Sequence, residues 1–82
     1  MSRSEIIAQI REVMIDVLDL DELQIDEGTT AKDVEGWDSL SHLRLIVAIE
    51  EHFGVKFSTG EIERFKNVGD VVTTVEQKRG GR

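Results

Sequence analysis

Apolar residues recur at steps of three and four in three separate stretches of this chain, and only a helix places residues so spaced on one side. The first stretch is Ile6, Ile10, Val13, Met14 and Val17, joined by Ile7 and Leu18. The second is Leu43, Leu45, Ile46, Ile49 and Phe53, and the third is Val68, Val71, Val72 and Val75. The sequence has no proline to interrupt them and no alternating run long enough for a strand. Three such stripes can be buried only against one another, which predicts an all-α fold. The expected architecture is a small four-helix bundle, three longer helices plus one short third helix. At 82 residues the chain is one domain, 1–82, with its core at about 4–78 and the basic, glycine-rich 79–82 read as a disordered tail.

Capping residues mark where the helices begin and end. Ser2 and Glu5 stand at capping-box spacing, so Ser2 or Ser4 opens a first helix running to about Leu18. Asp38 is a good N-cap for a second helix from Ser39 to His52 or Phe53, where Gly54 stops it. Val55-Lys56-Phe57 reads as short and extended. Ser58 and Glu61 repeat the box ahead of a helix of at most two turns with Ile62 and Phe65 inward. Asn67 and Asp70 open the last helix, whose four valines cost intrinsic propensity and must be held by packing. Between the first two helices lies a long acidic connection, residues 19–37, with Leu20, Leu23, Ile25 and Val34 spaced as anchors across the bundle. A calcium loop counted from Asp19 needs glycine sixth and glutamate twelfth; Gln24 and Thr30 stand there, so the segment is a solvated acidic loop.

The remaining composition removes function classes. A formal net charge of −7 repels a phosphate backbone and points to basic protein surfaces instead of nucleic acid. Without cysteine there is no zinc–thiolate site and no thiol nucleophile of the chain's own. No run approaches the roughly 20 apolar residues of a membrane span, and the start lacks a signal-peptide layout, so a cytoplasmic location is expected. His42 and His52 are ten residues apart, a spacing that indicates no metal site. Asp38, Ser39 and His42 supply triad residue types, but a triad needs a third group orienting the imidazole, an oxyanion site and a substrate pocket, and so small a bundle offers little volume for these. The chain is therefore expected not to be an enzyme, and His42 to be a partly buried packing residue.

Winding the second helix at about 100° per residue separates an inward side (Leu43, Leu45, Ile46, Ile49, Phe53) from a stripe of Leu40, Arg44, Val47 and Glu51. Ser39 is its first residue, solvent-facing and at the positive end of the helix dipole, where an attached phosphate would meet unpaired N–H groups. The run Asp38-Ser39-Leu40, followed by Leu43, Leu45, Ile46, Ile49, Glu50, Phe53, Gly54 and then Val55-Lys56-Phe57, resembles the attachment motif of the acyl and peptidyl carrier protein family. The resemblance covers residues 4–78. It implies that Ser39, flanked by Asp38 and Leu40, receives 4'-phosphopantetheine from coenzyme A, and that the arm's thiol holds acyl or aminoacyl groups as thioesters.

The same resemblance implies a set of partners. They are a phosphopantetheinyl transferase, an acyl- or aminoacyl-loading ligase and downstream acyltransfer enzymes, all meeting a monomeric carrier. The second helix would be the recognition helix, read through Leu40, Arg44, Val47, Glu50, Glu51 and Ile62. Arg44, His42 and His52 depart from the acidic or neutral recognition helix usual in the fatty-acid type, which favours a dedicated pathway such as polyketide, aminoacyl or envelope-lipid assembly over housekeeping fatty-acid synthesis. Two other classes make opposite expectations: an unmodified helical interaction module would be indifferent to Ser39→Ala, and a small serine hydrolase would cleave esters unaided.

Overall fold

The computed structural model describes residues 2–80. Four helices follow one another along the chain: α1 (Arg3–Leu18), α2 (Ser39–Phe53), α3 (Thr59–Glu63) and α4 (Val68–Gly80). No strand occurs among the described residues. The capping residues act as the sequence predicts. Ser2 and Glu5 close a reciprocal box on α1, and Ser58 and Glu61 do the same on α3. Asn67 and Asp70 exchange backbone-to-side-chain bonds at the start of α4. Gly54 ends α2 at φ 69°, a left-handed conformation that glycine adopts without a Cβ penalty. Asp19 ends α1 in the same region at φ 55°.

One core forms where the three apolar stripes meet. α1 contributes Ile6, Ile10, Val13 and Met14, α2 contributes Leu45, Ile46, Ile49 and Phe53, and α4 contributes Val68, Val71, Val72 and Val75. α1 packs against both of the other long helices. Ile7, Val17, Leu18, Ile62 and Phe65 lie half-buried against this core. The valine-rich α4 is held by packing, since Val68, Val72 and Val75 are almost completely buried.

The long connection is an ordered strap. Leu20, Leu23 and Ile25 pack on the core and Val34 is buried in it, the four anchors the spacing indicates. A short 3₁₀ turn, Ala31–Asp33, which the sequence reading did not anticipate, sits midway. The first amides of α4 complete the fastening: Val68 donates to the Thr29 carbonyl and Gly69 to the Glu27 carbonyl, both at 2.8 Å. A Cβ at residue 69 would stand 2.9 Å from that Glu27 oxygen, so only glycine permits the approach. Arg3 adds a clasp from α1, pairing with Glu27 of the strap and Glu76 of α4 and bonding Thr73 Oγ1. Hydrogen bonding by Arg3 holds the Glu27 carboxyl below its ordinary range, and the same bonds raise the guanidinium. Arg11 also donates to the Leu23 carbonyl.

The basic C-terminal segment departs from expectation. Lys78 and Arg79 belong to α4, because each has a partner: Lys78 pairs with Glu61 at 3.0 Å and Arg79 donates to the Phe53 carbonyl at 2.7 Å. These contacts lock the end of α4 to α3 and α2 and replace the frayed end expected from glycine content. Gly81 and Arg82 lie outside the described residues.

Candidate functional site

The strap delivers the chain to α2 through a sharp entry. Gly36 turns at φ 86°, Trp37 drops its ring into the core, and Asp38 follows in extended conformation as N-cap. The Asp38 carboxylate accepts the Ser41 amide at 2.9 Å. That bond holds the carboxyl below its usual value. One of the first-turn amides that the sequence leaves open for a phosphate, that of Ser41, is thus already satisfied by Asp38.

Ser39 is exposed as the first residue of α2, and its hydroxyl forms no hydrogen bond among the described residues. Ser41, two residues on, is half-buried, and its backbone amide is the group that Asp38 engages. Of the two serines at this helix start, Ser39 is the more accessible nucleophile. It opens onto a groove of about 490 Å³ lined by Ala31, Trp37, Asp38, His42, Leu43, Phe65 and Lys66. Lys66 brings a positive charge to this groove and takes part in no ion pair among the described residues. An apolar wall, a free hydroxyl and one cation fit a phosphodiester-linked organic arm.

The outer face of α2 differs from expectation at one place. Leu43, assigned inward, is 58% exposed and stands with Leu40 (72%) and Val47 (52%). These three are the exposed large hydrophobic residues of the described chain. Leu43 winds about 60° past Ile46 at the edge of the buried arc, and at this end of the bundle it meets the open groove. Leu40, Leu43 and Val47 therefore form one apolar ridge running from Ser39, bordered by exposed Arg44 and Glu51.

Two other residues expected on the face are used within the fold. Glu50 accepts the Phe57 amide at 2.8 Å, pinning the extended segment after α2. Ile62 lies half-buried against the core. His42 is partly buried as expected, with Trp37 Nε1 donating to its Nδ1 at 3.0 Å. His52 is exposed but hydrogen-bonded to Gln9 of α1 at 2.7 Å, away from the ridge. Of the three basic residues counted on the recognition helix, Arg44 alone remains on its open face. Sequence reasoning missed Trp37, Phe65 and Lys66 as groove walls, since they come from two connections, the strap and the α3–α4 link, that only the fold brings together. It also gave Trp37 no anchoring role, although a lone tryptophan just before a helix cap was a usable signal.

Among the described residues no group of acidic, histidine or cysteine side chains could hold a metal ion, and no helix is long and apolar enough to cross a membrane. Comparison with known proteins agrees with the geometry. The family model described as "phosphopantetheine attachment site" matches residues 8–75. The chain is 35% identical over 79 residues to an acyl carrier protein of Thermotoga maritima, covering 96% of this chain and 98% of that one. It is 37% identical over 79 residues to an acyl carrier protein of Thermosynechococcus vestitus, covering 95% and 96%. The fold superposes on the solution structure of a holo acyl carrier protein from Geobacter metallireducens with a TM-score of 0.83 at 38% identity, covering 90% of this chain and 85% of that one.

Proposed function

This chain belongs to the phosphopantetheine attachment-site family as an acyl carrier protein, a non-catalytic carrier of that cofactor, and from this premise we propose that Ser39 is the attachment point. The observation that carries the reading is the exposure of Ser39 at the first position of α2, its hydroxyl without a partner among the described residues, beside a Ser41 that is half-buried. When bound, the arm supplies a flexible thiol on which acyl groups ride as thioesters. The chain's own part is to present an oxygen nucleophile, to keep Asp38 occupied with the backbone so that the helix start is rigid, and to offer an apolar wall beside the attachment point. In loading, the Ser39 oxygen attacks the pantetheine-side phosphorus of the coenzyme A pyrophosphate; a new O–P bond forms as the P–O–P bond breaks, adenosine 3',5'-bisphosphate leaves with the bridging oxygen, and the serine proton passes to the transferase.

The ridge of Leu40, Leu43 and Val47 with Arg44 and Glu51 on its flanks is the surface that a phosphopantetheinyl transferase and the acyl-handling enzymes read in turn. A face this small gives brief encounters steered by charge, as a carrier that passes on its load requires. Arg44 on the open face supports service to a dedicated acyl or aminoacyl pathway over housekeeping fatty-acid synthesis. Intact mass after incubation with coenzyme A, magnesium and a broad-specificity phosphopantetheinyl transferase tests the attachment. One adduct on the natural chain and none on Ser39→Ala is expected; an adduct that persists in Ser39→Ala overturns the assignment, and no adduct with several transferases overturns the carrier reading.

A further inference from the structure

The carrier reading uses Ser39 and the ridge and leaves one built feature without a task, the pair of Trp37 and His42. Trp37 is the last residue of the strap before the N-cap, and it is 8% exposed. Its indole N–H has one partner, Nδ1 of His42, one turn into α2. The two rings also stack, with centroids 6.0 Å apart and planes 19° from parallel. On the other side of that turn, the His42 amide donates to the Asp38 carbonyl at 2.8 Å. The hinge carrying Asp38 and Ser39 is therefore spanned by one side-chain bond, and both rings line the groove on which Ser39 opens.

We propose that His42 is a positioning residue for Ser39: its Nδ1 lone pair anchors the Trp37 indole, fixing the angle at which the chain enters α2 and presents the Ser39 hydroxyl. The proposal rests on reading Ser39 as the attachment point.

An indole N–H can only donate, so Nδ1 must be unprotonated and the neutral imidazole must carry its proton on Nε2. A second proton would set donor against donor across 3.0 Å and release the anchor. Burial favours the neutral ring, lowering the His42 pKa below its ordinary value. The charged groups that share the groove are Asp38 and Lys66. Asp38 is committed to the Ser41 amide, and no carboxylate pairs with the imidazole among the described residues. No neighbouring charge therefore holds the proton on the ring.

Two substitutions separate the acceptor from the ring. His42→Asn places its Oδ1 where Nδ1 stands and cannot be protonated; His42→Phe keeps a ring and removes the acceptor. Loading by the transferase is measured with the carrier as varied substrate between pH 5 and 8, and the indole N–H resonance of Trp37, the chain's one tryptophan, is followed in parallel by NMR. His42→Phe should lower kcat roughly three- to tenfold, the worth of one partly buried hydrogen bond, with KM within about twofold and the bundle intact by circular dichroism. His42→Asn should restore kcat at pH 7.5. The ratio of natural chain to His42→Asn, which cancels the transferase's own pH response, should fall below the ordinary histidine value of about 6.5, in step with the indole signal.

An indole resonance indifferent to both His42→Phe and pH overturns the anchor itself. A normal kcat for His42→Phe, or a flat ratio across pH, overturns the positioning role even where the indole signal moves. If the natural chain takes no adduct, the attachment reading fails and positioning with it, while the indole resonance still decides whether the anchor exists.

Discussion

α1 and α2 have 16 and 15 residues, each begins at a side-chain N-cap, and each buries four residues in the same core. Only α2 carries large hydrophobic residues in the open: Leu40, Leu43 and Val47 all lie on it. The outward side of α1 is spent on the fold, through Arg3 clasping Glu27 and Glu76, Arg11 holding the strap and Gln9 meeting His52. Helices of equal length and burial therefore do different work, one purely structural and one divided between core and surface. Leaving three apolar side chains in water is unfavourable for an isolated domain, and its consistent explanation is a face that partners cover briefly.

That contrast can be broken by substitutions on either helix. Met14→Ala on α1 should give the largest effect on stability, about 2–5 kcal/mol from lost transfer energy and the cavity left behind, while the folded fraction is loaded at the natural rate; urea melts and a loading assay below the transition check both. Leu43→Glu should do the reverse. Unfolding should shift by no more than about 0.5 kcal/mol for an exposed site, while KM for the transferase rises roughly tenfold as the ridge acquires a charge. If Leu43→Glu unfolds the domain, the ridge is core and the contrast fails.

Arg44→Glu should act more weakly, changing kcat/KM with an acyltransferase of the fatty-acid type upward by about threefold at low salt and less at high salt. No change at any ionic strength would remove Arg44 as a pathway determinant.

Acid should separate the two helices last and least. Glu5, Glu27, Asp38 and Glu61 are held below their ordinary values by hydrogen bonds. Their contribution is complete above about pH 4 and lost as pH falls through their folded values, because the unfolded chain there binds more protons. His42, whose folded value is also lowered, adds a step at higher pH. Its neutral form is favoured in the fold, so that part is complete above about 6.5 and declines as pH falls below it. His42→Asn should lose the upper step and keep the lower one in denaturation midpoints taken from pH 7.5 to 3.

The helices were legible because caps and period-3.6 stripes are local signals: Ser2 with Glu5, Asp38, Gly54, and Ser58 with Glu61 all act where the sequence places them. Leu43 was not, since a residue at the edge of a buried arc turns inward or outward according to whether another element covers it, and none covers that end of α2. Arg79 was misread for a related reason. The composition of 79–82 suggests fraying, but the partner of Arg79, the Phe53 carbonyl, is distant in sequence. Ser39 was legible as a position and a motif, whereas its advantage over Ser41 is a matter of exposure, and that is visible only in three dimensions. The Arg3 clasp and the Gly69 approach to Glu27 likewise depend on contacts between distant segments.

The most direct measurement is the location of the arm within the loaded protein. Trypsin cutting after Lys32 and Arg44 releases residues 33–44, which hold both Ser39 and Ser41. Fragmentation of that loaded peptide should place the whole adduct on Ser39, with the fragment from Leu40 onward unmodified. An adduct on Ser41, or on any other residue, would contradict the account.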